Sequence, residues 1–171
     1  MCGDSNRPTY GGTIAVLFPR DQHFSSNTSE QSLSSSPNSI ASSASSSLST
    51  LSSYSLFFRD PEPDNRNTKA IFRTNDAETY EALRECRQVN MRIEKYGDLT
   101  TSTPSTPPLH QFRVDLGQQK GQPSGSPAMD FEIELPERLN LGVSEKGVVG
   151  RQITVTEAGG ALLGVGVVGI N

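Results

Sequence analysis

The side chains best suited to nucleophilic, redox or metal chemistry in this chain are two cysteines, Cys2 and Cys86, and two histidines, His23 and His110. Two thiols cannot build a disulfide framework, and with only two imidazoles beside them a four-ligand zinc site has little to draw on. If Met1 is removed, the Cys2 thiol sits beside a free amine, the starting arrangement of N-terminal nucleophiles. Cys86 falls among apolar residues at helical spacing and reads as a small, inert core hydrophobe. His23 lies in polar loop sequence and His110 just before a strand, neither with an acidic or cysteine partner at ligand spacing, so both are expected to be solvated. Glu132 and Glu134 are a carboxylate pair, but on a strand they share one face and mark the wet side of a sheet. No phosphate-binding glycine loop, Gly-x-Ser-x-Gly elbow or His-Glu-x-x-His pair occurs. The expectation is a protein that is not an enzyme and takes no cofactor and no metal.

Chemistry done to the chain is better represented. Ser36, Thr103, Thr106 and Ser126 each precede proline and are acceptor sites by type for proline-directed kinases. A phosphate would add nearly two negative charges to the loops that hold them. Met1-Cys2-Gly3 resembles the opening of glutamine amidotransferase domains, and also the start of plant transcription factors that are destroyed through an oxidised N-terminal Cys. Both likenesses span three residues, and a Ser tract stands where the first would need a large sandwich.

The elements available to position any site are limited by composition. Of 171 residues only 33% are hydrophobic, and Trp is absent, so the core must be small. A net charge of −4 has the wrong sign for unspecific binding to nucleic acid or to anionic membranes. No run approaches the roughly 20 apolar residues that span a bilayer as a helix. The nearest, Ala158 to Ile170, carries five glycines. The start of the chain lacks the apolar run of a secretory signal, which points to an intracellular protein, cytoplasmic or nuclear.

Serine occupies 17 of the 31 positions from 25 to 55, a composition with almost nothing to bury. Residues 20–68 are accordingly read as a disordered linker, after an N-terminal segment 1–19 with one strand-like run at Thr13–Phe18. A helix is predicted over about 76–96, with Asn75 and Glu78 as a capping box and Gly97 as its stop. Ala82, Cys86, Val89, Ile93 and Tyr96 are spaced 4-3-4-3, with Leu83 at the border, and form an apolar seam. Strands are predicted at about 111–117, 130–135, 151–157 and 161–168 from alternating apolar residues and from a hairpin turn at Gly159-Gly160. The last of these is apolar on both faces, so its second face should be covered by the module or by another copy of the chain.

The fold class expected is therefore α+β. A long disordered Ser-rich N-terminal region would precede a small module, 69–171, of one amphipathic helix and several antiparallel strands; the alternative is a mostly disordered chain. The function expected is protein–protein interaction or regulation without catalysis. The seam Ala82, Leu83, Cys86, Val89, Ile93 and Tyr96 would contact another protein, under control of Ser/Thr-Pro phosphorylation. One alternative is self-assembly through the C-terminal strands. Another is a transcriptional co-regulator that docks through the acidic-hydrophobic peptide Met129–Leu135. Neither a membrane span nor direct nucleic-acid binding is expected.

Overall fold

A computed structural model of the chain describes residues 12–19, 51–60, 66–100, 107–116 and 129–171. In chain order the elements are β1 (Thr13–Leu17), β2 (Tyr54–Arg59), β3 (Lys69–Thr74), α1 (Ala77–Glu85), β4 (Gln88–Ile93), β5 (His110–Asp115), β6 (Met129–Glu134), β7 (Gln152–Glu157) and β8 (Leu162–Ile170). The strands pair antiparallel throughout, in the order β5-β4-β7-β8-β1-β2-β3-β6, as one sheet curled into a nearly closed barrel. The expected α+β module is thus corrected to a predominantly antiparallel β architecture with one short helix. Strands β1 and β2, N-terminal to residue 69, are internal strands of this same sheet. The Ser-rich stretch 21–50, Cys2 and His23 lie outside the described residues, as do the acceptors Ser36, Thr103, Thr106 and Ser126.

The helix predicted over 76–96 is really two elements. Its N-cap is Asp76, one residue later than expected, whose carboxylate accepts from the Thr79 N–H at 2.9 Å. The helix ends after nine residues, because Cys86 takes an extended conformation while its N–H still donates to the Ala82 carbonyl. From Gln88 onward the chain is strand. Val89 and Ile93 fit both a helical seam and, with Met91 between them, an alternating strand, so the local pattern was ambiguous. Pairing decided it: β4 registers Met91 against Phe112 of β5 on one side and Val155 of β7 on the other, which satisfies the backbone twice over.

Alternation fills the barrel. Tyr54, Leu56 and Phe58 of β2 point inward with Ala70 and Phe72 of β3, and Phe72 stacks between Tyr54 and Phe131 at centroid distances of 6.1 and 4.8 Å. The inner face of β8 carries Gly164 and Gly166. A Cβ at Gly166 would stand 2.2 Å from the Val16 carbonyl oxygen, and one at Gly164 would stand 3.0 Å from both Leu17 Cβ and the Tyr54 hydroxyl. The two glycines let β1 and the Tyr54 ring press against β8, and a register shift at Val155/Thr156 adds local twist.

Both ends of the barrel are covered by crossing connections. Helix α1 carries the chain from β3 to β4 and inserts Leu83 and Cys86 into one end. Residues 135–151 carry it from β6 to β7 across the other, inserting Leu139 and Val148. Arg151 ties that second cap together by donating to the carbonyls of Lys95, Ser144, Glu145 and Gly147. No helix among the described residues is long and apolar enough to cross a membrane.

Candidate interaction surface

The seam read from the sequence is not one surface. Leu83, Cys86, Val89 and Ile93 are core residues, Ala82 is half-buried, and Tyr96 stands 71% exposed beyond the end of β4. Leu83 and Cys86 come from the helix cap and Val89 and Ile93 from the barrel wall, so no docking face unites the six. Burial, with Glu157 and Glu85 nearby, pushes the Cys86 thiol up to about 11, which disfavours the reactive thiolate at neutral pH. The peptide Met129–Leu135 is β6 and its end, with Phe131, Ile133 and Leu135 packed inside the barrel. Glu132 and Glu134 lie on the outer, wet face, where they meet Lys69 Nζ at 3.1 Å and Asn67 Nδ2 at 2.9 Å.

His110, expected to be solvated, is instead half-buried and paired. Its Nδ1 lies 2.9 Å from Glu137 Oε1 and its ring stacks on Phe112. A carboxylate holding one imidazole nitrogen is the layout that orients a general base. Here the other nitrogen, Nε2, is sealed from solvent and has no hydrogen-bond partner. A substrate proton cannot reach it in this conformation. Among the described residues no group of three or more His, Cys, Asp and Glu side chains is placed to hold a metal ion.

An open groove of about 560 Å³ lies at the end crossed by residues 135–151, between Gly12, Asp60 and residues 138–142. Its charged members, Arg138 and Asp60, approach to 3.7 Å and both are mostly exposed, so water screens the pair. Nothing buried and polar points into it from the side chains that line it.

The outer face of the sheet is chemically less even. On β3 and β6 it is closed over by ion pairs: the Arg73 guanidinium lies above the Phe57 ring and forks onto Asp130, and Ile71 is buried beneath. The strands β1 and β8 themselves carry no charged side chain. Ile14, Val16 and Phe18 follow one another along the outside of β1, and Val165 and Val167 along the outside of β8. Phe18 is 56% exposed and bridges to Val165 through two backbone hydrogen bonds, while Val16 and Val167 are both more than a third exposed. Tyr96 stands near this face, since a Cβ at the adjacent Gly97 would lie 3.8 Å from Val167 Cγ1. Five of the seven large exposed hydrophobic side chains among the described residues belong to β1, β8 or the residue after β1, or to Tyr96 beside them. Scattered exposure of single apolar residues is normal, but a contiguous run is the mark of a contact site.

The signal for this surface was present in the sequence, as two strands apolar on both faces, Ile14–Phe18 and Leu162–Val168. For the C-terminal strand, the second face was expected to be covered by the module or by another copy. Within the described residues it is partly open. Protein-family models, curated proteins and solved structures contain no match to this chain.

Proposed function

We propose that this chain is a non-enzymatic, intracellular protein–protein interaction module that docks a folded protein partner through the outer face of β1 and β8. The observation that carries the reading is the uncharged apolar run Val16–Phe18–Val165–Val167, of which Val16, Phe18 and Val167 are exposed, on a barrel whose outer face at β3 and β6 is closed by ion pairs. Burying such side chains against a partner removes apolar surface from water at about 25 cal/mol per Å², from which the costs of association and of ordering the side chains are subtracted. Control by phosphorylation at Ser36, Thr103, Thr106 or Ser126 belongs to the same proposal, since each lies in a connection between strands of this sheet.

Self-assembly is the second reading, favoured by one specific observation: the C-terminal strand itself supplies Val167 and Ile170 to the exposed set. One experiment separates the two. A photo-crosslinking amino acid is placed at position 18, and a control at exposed position 145, in the full chain expressed in cells. Adducts at 18 and not at 145 that contain a second protein, and that disappear in a Val167→Asp background, support the docking face. Adducts of two copies of this chain support self-assembly. Equal labelling at 18 and 145 rejects this face for both.

A further inference from the structure

We propose that His110 and Glu137 form a latch that fastens the two free edges of the sheet, β5 and β6, and that the barrel opens locally along this seam when the latch is undone. Strands β5 and β6 are the two ends of the strand order, and no backbone ladder joins them. Phe112 and Val114 of β5 and Phe131 and Ile133 of β6 belong to the one buried cluster that fills the barrel. The β5–β6 junction lacks the cooperative hydrogen bonding that holds the other strand pairs, so it is where local opening costs least.

The polar contacts near the seam mostly tie each half to itself. On β6, Asp130 and Glu132 pair with Arg73 and Lys69 of β3, and Arg113 of β5 donates to Asn90 of β4. His110 and Glu137 reach from one half to the other. Glu137 is anchored on the β3 side: its carbonyl accepts from the Thr68 N–H, while Leu135 N–H donates to the Thr68 carbonyl and Leu139 N–H to the Thr68 hydroxyl. His110 is anchored on the β4 side, because the Leu109 N–H donates to the Ile93 carbonyl.

The imidazole's own bonding points the same way. A carboxylate can only accept, so the 2.9 Å contact fits Nδ1–H as the donor and Glu137 Oε1 as the acceptor. Nε2 is buried without a partner, so nothing inside the barrel hydrogen-bonds the ring. Its orientation is set by Glu137 and by the stack on Phe112. An unsatisfied buried nitrogen opposes this placement. The Glu137 contact and the ring stack are what outweigh it.

The test is native-state hydrogen exchange by mass spectrometry on the full chain, comparing wild type with Glu137→Ala and Glu137→Gln. In Glu137→Ala, exchange of peptides covering 107–116 and 129–139 is expected to rise about three- to ten-fold, with peptides from β7, β8 and β1 unchanged. Glu137→Gln keeps an acceptor for Nδ1–H and is expected to restore most of the protection. Unchanged exchange in Glu137→Ala overturns the latch. A uniform rise in every strand, or a chain that does not fold, overturns it as well, because the role assigned is local. Equal exchange in the Ala and Gln variants would show that the hydrogen bond is not what fastens the seam.

Discussion

Tyr54→Phe should stabilise this protein. The ring is a core element, 2% exposed and stacked on Phe72, whereas its hydroxyl is buried with no hydrogen-bond partner. Burial, with Cys86 close by, holds the phenol far above the ordinary tyrosine range. Leaving a buried hydroxyl unsatisfied costs about 1–3 kcal/mol relative to its hydration in the unfolded chain. Removing the oxygen forfeits its van der Waals contacts where it lies over Gly164, roughly 0.5–1 kcal/mol for a void of one heavy atom. The balance is a gain of about 1 kcal/mol, or roughly 3–6 °C in Tm for a domain of this size. Urea denaturation followed by circular dichroism reads it as a higher midpoint at unchanged slope. Tyr54→Ala is the contrasting variant, expected to lose about 3–5 kcal/mol with the ring stack. If Tyr54→Phe instead lowers stability by 1 kcal/mol or more, the hydroxyl has a partner in solution and the reasoning fails.

Three further outcomes follow from the same structure. Ile93→Ala should cost about 2–5 kcal/mol in denaturant titration, whereas Tyr96→Ala, at the other end of the sequence-predicted seam, should change stability by less than about 0.5 kcal/mol; equal effects would restore a shared helical face. Hydrogen bonds from Thr79 hold the Asp76 carboxyl below its usual range, so its folded pKa lies under its unfolded one. The stability this confers is present above the unfolded value and is lost as pH falls through the folded one, so wild type and Asp76→Asn should converge in Tm on acidification below about pH 4; a gap that does not narrow as pH falls would contradict the assignment. In a Cys2→Ser background, Cys86 should resist a disulfide-exchange reagent at pH 8 in the native state and react on denaturation, because burial adds to a thiolate fraction of about one in a thousand.

The sequence was legible where a short segment contained its own answer. Phe112-Arg113-Val114, Phe131-Glu132-Ile133 and Ile153-Thr154-Val155 alternate cleanly, and each is half of a strand with one wet face. Gly159-Gly160 turns β7 into β8, with Gly160 at a φ of 92° that favours glycine. Tyr54, Leu56 and Phe58 carried the same period in β2, but Phe57 between them broke the pattern, and its apolar ring is now seen to lie outside, beneath Arg73. At Val89 and Ile93 the helical and strand periods coincide, and no local feature favours one over the other.

What composition and alternation determined by themselves was therefore a small core, the wet and dry sides of single strands, and the start of one helix near residue 76. Tertiary structure decided the rest. Thr13 lies opposite Ile170 in the sheet, and Lys69 opposite Glu134, pairings between segments far apart in sequence that a local pattern cannot encode. Once β4 had partners on both sides, two backbone ladders outweighed a helical seam that could bury only one stripe. The same pairing put Val16 and Val167 on an open outer face and Leu17 and Val168 inside, although the four are equally apolar. Apolarity is a property of the residue, whereas the face it occupies depends on the register and on which strands lie alongside.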